Sequence, residues 1–224
     1  MIDYQFPYWG PFILEAHINR EFVDLLLSKG RETKIDARKY LAGKLDKEFY
    51  YENYEDWFLP KFTPYMDLYV ESLLQYQPNA LNYLYADLVG TTLGRNNPET
   101  FFFPGGDEYD RPWTLDDLWI NFQQSGEYNP PHNHTGDMSF VIFLQVPKEL
   151  VREYEQTKDD HNSEGPGVIC FQYGERLPFN ISRYWRMPTE GMIIMFPAWV
   201  QHYVHSFNSD VERITVSGNI RFKK

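Results

Sequence analysis

Between Leu118 and Phe222 the chain breaks into short apolar runs separated by turn residues, and this texture limits the fold more than any other feature. The runs are Leu118–Gln123, Ser139–Val146, Gly167–Phe171, Gly191–Phe196, His202–Phe207 and Glu212–Phe222. Strands of this length with no long helix between them predict an antiparallel sandwich or jelly roll. A charged insertion at 148–162 reads as a helix or an exposed loop.

The first half has a different texture. Asn19 is placed to cap a helix running to Ser28, with Phe22, Val23, Leu25, Leu26 and Leu27 crowding one side and Gly30 ending it. A second helix is predicted from Asp36 to about Leu45, and a third from Pro64 to Tyr76. The Gly-, Pro- and Asn-rich stretch 90–112, which contains Phe101-Phe102-Phe103, reads as a long loop and a candidate substrate lid. The expected organisation is therefore a single domain over 1–224. A helical N-terminal portion with the loop or lid would occupy 1–112, and a β core 113–224.

Composition narrows the partners. A net charge of −11 disfavours nucleic acid, whose binding needs a concentrated basic face. The single cysteine, Cys170, excludes an internal disulfide and sits in an apolar run that suits a buried, inert thiol. The first residues lack a basic and then apolar leader pattern, and no apolar stretch reaches membrane-spanning length. A soluble, cytoplasmic protein is expected.

Four of the six histidines fall in two tight pairs, His132 with His134 and His202 with His205. The first pair follows the turn-forming run Gly126 to Pro131. The second opens a strand after Phe196-Pro197-Ala198-Trp199. Histidines converging at strand ends from distant sequence are what a metal site inside a β-barrel requires, and neutral imidazole suits Fe, Zn, Cu and Ni alike.

Strand parity separates His202 from His205, because side chains on an extended segment alternate faces. Closing Asn208 to Val211 as a four-residue hairpin loop would pair Ser206 with Arg213, Val204 with Thr215 and His202 with Ser217. His202, Arg213, Thr215 and Ser217 then share an inner face. An arginine there is costly without an anionic partner. Its level lies four strand residues, roughly 13 Å, from that of His202. A long side chain reaching back could hold the far carboxylate of a small dicarboxylate whose near end chelates the metal.

These residues resemble the 2-oxoglutarate and Fe(II)-dependent oxygenase superfamily, and within it a bacterial and phage group. The resemblance rests on Trp119-x-Asn121, Gly126, Asn129, His132-x-His134, Met138-Ser139, Gly191, Phe196-Pro197-x-Trp199-x2-His202-x-Val204 and Arg213-Ile214-Thr215, and covers about 115–222. Gly126-x5-His132-x-His134 is also similar to the cupin pattern, and His134-Thr135-Gly136 to that of aspartyl β-hydroxylases. All three comparisons imply a mainly β double-stranded β-helix, a cupin-like jelly roll. The departure lies in the acidic ligand. Most of the superfamily uses His-x-Asp/Glu and a distant His, whereas this chain has no His-x-Asp. One register uses His132 and His134; the other uses His134 and Asp137, with Gly136 supplying the bend. The second is preferred here, giving His134, Asp137 and His202 with His132 as the next candidate.

The resemblance implies Fe(II) and 2-oxoglutarate as cofactors. It also implies O2 and a peptide side chain or small metabolite as substrates, with hydroxylation releasing succinate and CO2. Arg213 would pair with the distal carboxylate, with Thr215 or Ser217 as hydroxyl donor and Asn121 as a polar group near the cluster. Two other classes are carried beside it. One is a cupin-type isomerase or dioxygenase that does not use 2-oxoglutarate; the other is a binding jelly roll with no functional metal.

Overall fold

The computed structural model describes residues 10–77, 113–160 and 164–222. Eleven strands are found among them: β1 Leu14–His17, β2 Ile35–Asp36, β3 Glu48–Tyr50, β4 Trp113–Gln123, β5 Asn129–His132, β6 Met138–Gln145, β7 Ile169–Gln172, β8 Arg183–Arg186, β9 Met192–Pro197, β10 Gln201–Val204 and β11 Arg213–Phe222. The helices are α1 Arg20–Glu32, α2 Leu59–Tyr76 and α3 Lys148–Thr157. A seven-stranded sheet runs β1-β9-β6-β11-β4-β3-β2 and faces a four-stranded sheet of order β5-β10-β7-β8. All the pairings within both sheets are antiparallel. This is the expected double-stranded β-helix.

Alternation along the strands gives the large sheet two different faces. One carries Leu118, Ile120, Phe140, Ile142, Met195, Ile214 and Val216, which pack in one core with Phe22, Leu26, Phe58, Phe62 and Met66 of the N-terminal half. The other face turns toward the small sheet, where Val141, Phe143, Ile194 and Phe196 meet Ile169, Phe171 and Val204. Polar side chains at the remaining inward positions of β4 and β11 line the cleft between the sheets.

The N-terminal half is less helical than its sequence suggests, since it gives three strands to the large sheet. The helix expected over Asp36 to Leu45 does not form. Backbone partners from elsewhere take its place: Ala37 N–H donates to Glu48 O at 2.9 Å and Lys44 N–H to Tyr128 O at 2.9 Å. Asp36 also accepts from the Arg38 N–H at 3.0 Å, which holds the chain in a turn. Helix α2 begins at Leu59, a turn before the predicted Pro64, and keeps Pro64 inside it. The aromatic stripe explains this early start, because Phe62 contacts Phe140 at 4.4 Å between ring centroids and Phe58 at 5.0 Å. Residues 90–112, the candidate lid, lie outside the described residues. No helix among the described residues is long and apolar enough to cross a membrane.

Gly30 does not end α1; the helix continues to Glu32. Its role is close approach. A Cβ there would meet Ile120 Cδ1 at 2.2 Å and the Tyr51 hydroxyl at 2.7 Å, so the helix rests directly on β4. Gly30→Ala adds about 1 kcal/mol of helix propensity but forces overpacking worth about 1–3 kcal/mol. The expected outcome is a net loss of roughly 1 kcal/mol, read as a lower urea midpoint at unchanged slope.

Candidate metal and anion site

Three histidines from two strands and one loop meet in the cleft. His132 ends β5, His202 lies opposite it on β10 as its register partner, and His134 follows two residues after His132. His134 is placed by its own backbone, whose N–H donates to Ala198 O at 2.9 Å. The donor atoms of His132, His134 and His202 all lie within 4.8 Å of one another. The Nε2 atoms of His134 and His202 are 3.0 Å apart.

Backbone carbonyls set the tautomers. His132 Nδ1 lies 2.7 Å from Pro130 O and His202 Nδ1 lies 3.0 Å from Val200 O. Each Nδ1–H therefore donates outward, leaving Nε2 with a lone pair for the cluster. Burial favours the neutral, ligating form in all three. It pushes His134 down to about 3, helped by neighbouring His132. It holds His202 well below the usual histidine range, with His132 and His134 adding to the effect, and it also lowers His132. Phe196 and Phe171 pack on the His202 ring at 4.7 and 5.8 Å, walling the cluster on the apolar side.

Asp137 is directed elsewhere. Gly136 has φ +91° and does bend the chain, but the bend carries the Asp137 carboxylate to the end of β11. There Oδ2 accepts from Phe222 N–H at 2.7 Å, while the Asp137 N–H donates to Ile220 O at 2.8 Å. Asp137 is not in the donor group that the structure brings together; His132 stands in its place.

The cleft extends from the histidines along β11 and β4. Ser217 and Trp119 form the row nearest His134, Thr215 and Asn121 the next, and Arg213 the deepest. Asn121 Nδ2–H donates to Thr215 Oγ1 at 3.2 Å. Arg213 is 2% exposed. Its Nη1–H donates to Gly167 O at 3.0 Å, and its guanidinium lies 5.7 Å from the Phe143 ring centre. Its Nε–H has no partner, and no ion pair involves it among the described residues. Burial alone pushes its pKa down to about 10, so it stays charged at neutral pH.

Arg213 reaches this face by a different route from the predicted hairpin. β10 belongs to the small sheet and β11 to the large one, so Ser206–Arg213, Val204–Thr215 and His202–Ser217 are not paired. The intervening turn is pulled outward: Asn208 and Ser209 N–H groups donate to the Glu153 carboxylate of α3 at 2.8 and 2.7 Å, and Phe207 O accepts from Gly126 N–H at 2.8 Å. The chain thus crosses between sheets. His202, Arg213, Thr215 and Ser217 still line one cleft because the inner faces oppose each other.

Residues 117–219 match the family model described as "Putative 2OG-Fe(II) oxygenase". Over these residues the β-helix is similar to the 2-oxoglutarate and Fe(II)-dependent oxygenases. The chain is similar in fold to a prolyl-4-hydroxylase of Pseudomonas putida, at 13% identity and TM-score 0.52 over 95% of this chain and 93% of that one. It is likewise similar to the viral collagen prolyl hydroxylase of Paramecium Bursaria Chlorella virus-1, solved with 2-oxoglutarate, at 11% identity and TM-score 0.51 over 94% and 96% of the two chains. No curated protein sequence gives a significant match.

His205 and Trp199 fall outside the cleft. His205 is on the opposite face of the small sheet, 3.1 Å from Glu164 Oε2. Cys170 lies with them, and these three donors form a second group within 4.8 Å. The Glu164 carboxylate there is already held by Arg183 at 2.8 Å and by His205, which reads as an ion-pair network. Trp199 is exposed and packs on Tyr173 at 5.5 Å, away from the lining residues. Sequence reasoning missed Glu48, a buried acid lining the cleft. It sits in a three-residue strand with no motif around it, and only its pairing with Asn121 brings it inside.

Proposed function

We propose that this oxygenase binds Fe(II) through His132, His134 and His202 and 2-oxoglutarate through Arg213, and that it hydroxylates a peptide side chain or small metabolite. The observation that carries the reading is Arg213, a buried cation with no counter-anion, in the cleft that holds three converging imidazoles. Burying an unpaired charge costs several kcal/mol, and a dianion bridging from the histidines would offset that cost. The donor set fits both groups: three neutral imidazole nitrogens suit Fe(II), and a fork of N–H donors suits a carboxylate.

When bound, Fe(II) and 2-oxoglutarate supply the oxidation of a substrate C–H bond by O2, with succinate and CO2 as co-products. The chain contributes position and exclusion of water. Arg213 would hold the distal carboxylate, and Thr215, oriented by Asn121, or Ser217 would offer a hydroxyl along the co-substrate. Phe143, Phe171 and Phe196 keep the cleft apolar around these few polar groups.

Anaerobic titration of the Fe(II)-loaded protein with 2-oxoglutarate tests the reading. A visible charge-transfer band should appear, and aerobic incubation should release succinate. The all-histidine cluster favours one alternative, a cupin-type metalloenzyme. Iron retained without any 2-oxoglutarate binding would select that alternative and sink the proposal.

A further inference from the structure

Glu48 is the second charged-type side chain buried in the cleft, and no group in the proposed function uses it. It is 1% exposed, and its Oε2 has neither solvent nor a hydrogen-bond partner. β3 sets it beside Asn121, which is paired in turn with Thr215, so Glu48, Asn121 and Thr215 form one row across the large sheet. That row lies between the histidine level and the Arg213 level, alongside the path a bound dicarboxylate would take.

The surroundings of Glu48 offer no compensation for a negative charge. Leu41, Ala42, Gly43 and Asn129 line the cleft with it and carry no charge; burial favours neutral imidazole at the three histidines that share the cleft, and Arg213 lies one row further along β11. The charged groups that act on it are Glu127 and Asp36, which repel a carboxylate, and Arg38, which attracts one. Arg38 is exposed and already tied to Asp36 at 2.6 Å, so its pull is weak. Desolvation dominates and pushes the Glu48 carboxyl up to about 7. A carboxyl that keeps its proton is a donor, and it lines the same cleft as the unpartnered Arg213 Nε–H.

Resting on the 2-oxoglutarate reading above, we propose that Glu48 takes part in co-substrate binding as a neutral carboxylic acid that donates a hydrogen bond to the dianion held by Arg213. Ionised Glu48 would instead set a negative charge beside that dianion. Affinity is therefore full while Glu48 is protonated and is lost as pH rises through its titration. Arg213 stays charged over that range and burial favours the neutral form of the three histidines, which leaves Glu48 as the cleft group that changes.

The test has two arms. In the first, 2-oxoglutarate affinity of the Fe(II)-loaded protein is measured anaerobically from pH 6 to pH 8 for wild type and Glu48→Gln. Wild type should lose about tenfold across this range, the amount expected for one required proton titrating midway. E48Q keeps a donor and cannot ionise, so its affinity should stay flat and near the wild-type value at pH 6. The second arm uses protein without metal or co-substrate, so it does not depend on the 2-oxoglutarate reading or on E48Q folding. Infrared spectra of wild type should show a protonated-carboxyl stretch that fades between pH 6 and pH 8. Its absence overturns the proposal. So does a pH-independent wild-type affinity, a parallel loss in E48Q, or an E48Q affinity tenfold weaker at pH 6. Failure of wild type to bind 2-oxoglutarate at any pH, with the infrared band present, removes the co-substrate reading and the role built on it, while leaving Glu48 a buried neutral acid.

Discussion

Arg213→Ala should weaken 2-oxoglutarate binding by about 10- to 100-fold, the range set by charge-assisted hydrogen bonds of about 1.5–3 kcal/mol. Iron content should not change, since Arg213 lies two rows of β11 deeper than Ser217, which is level with His134. The same residue makes a second, opposite prediction for the protein without co-substrate. There the guanidinium is a buried charge with one carbonyl contact and an unpartnered Nε–H. Arg213→Met removes that charge and fills the space with a flexible apolar side chain, so unliganded stability should be no lower than wild type. Thermal melts with and without 2-oxoglutarate separate the two effects. Wild type should gain stability on adding the ligand, and the Met variant should not. A Met variant that still responds to 2-oxoglutarate would place the anion elsewhere.

His202→Ala should abolish Fe(II) binding, and His132→Ala should reduce it more than Asp137→Ala does. Asp137 is the informative comparison, because its position in the sequence makes it the natural carboxylate ligand while its geometry makes it a cap on the last residues of β11. Losing its bond to Phe222 N–H should lower stability by about 1–2 kcal/mol and leave iron affinity near wild type. A residue that only supports a ligand typically alters metal affinity by about 10–100-fold when removed, and a ligand by more. His205→Ala should retain iron, since its ring faces Glu164 on the outer side of the small sheet. Metal titrations of the four variants under identical anaerobic conditions decide the set. Loss of iron in Asp137→Ala with retention in His132→Ala would reverse the assignment.

Much of the β core is legible in the sequence because its signals are local. Each of the six apolar runs overlaps a strand of the structure, since short apolar runs bounded by turn residues are the local mark of strands packed between layers. Parity separates His202 from His205 without any tertiary information, and the cleft-lining face of β11 is visible in the alternation of Arg213, Thr215 and Ser217 with the core residues Ile214 and Val216. The N-terminal half is less legible. Asp36 to Leu45 has helical spacing, but hydrogen bonds to Glu48 and Tyr128 outweigh a propensity of a few tenths of a kcal/mol per residue.

The sequence by itself determined that two histidine pairs and one arginine would stand at strand ends in a β sandwich, because residue type and alternation are properties of the strand. Tertiary structure decided which sheet each strand joined. β11 pairs with β4 and β6 rather than with β10, and Glu153 holds the 207–209 turn between the layers, a contact between residues more than fifty positions apart. Tertiary structure also placed the Asp137 carboxylate against Phe222 N–H at the end of β11 and gathered His132, His134 and His202 into one cluster. Glu48 depended on it entirely. A glutamate in a three-residue strand has no local mark of burial, and only the pairing of β3 with β4 takes it out of water and sets it beside the cleft.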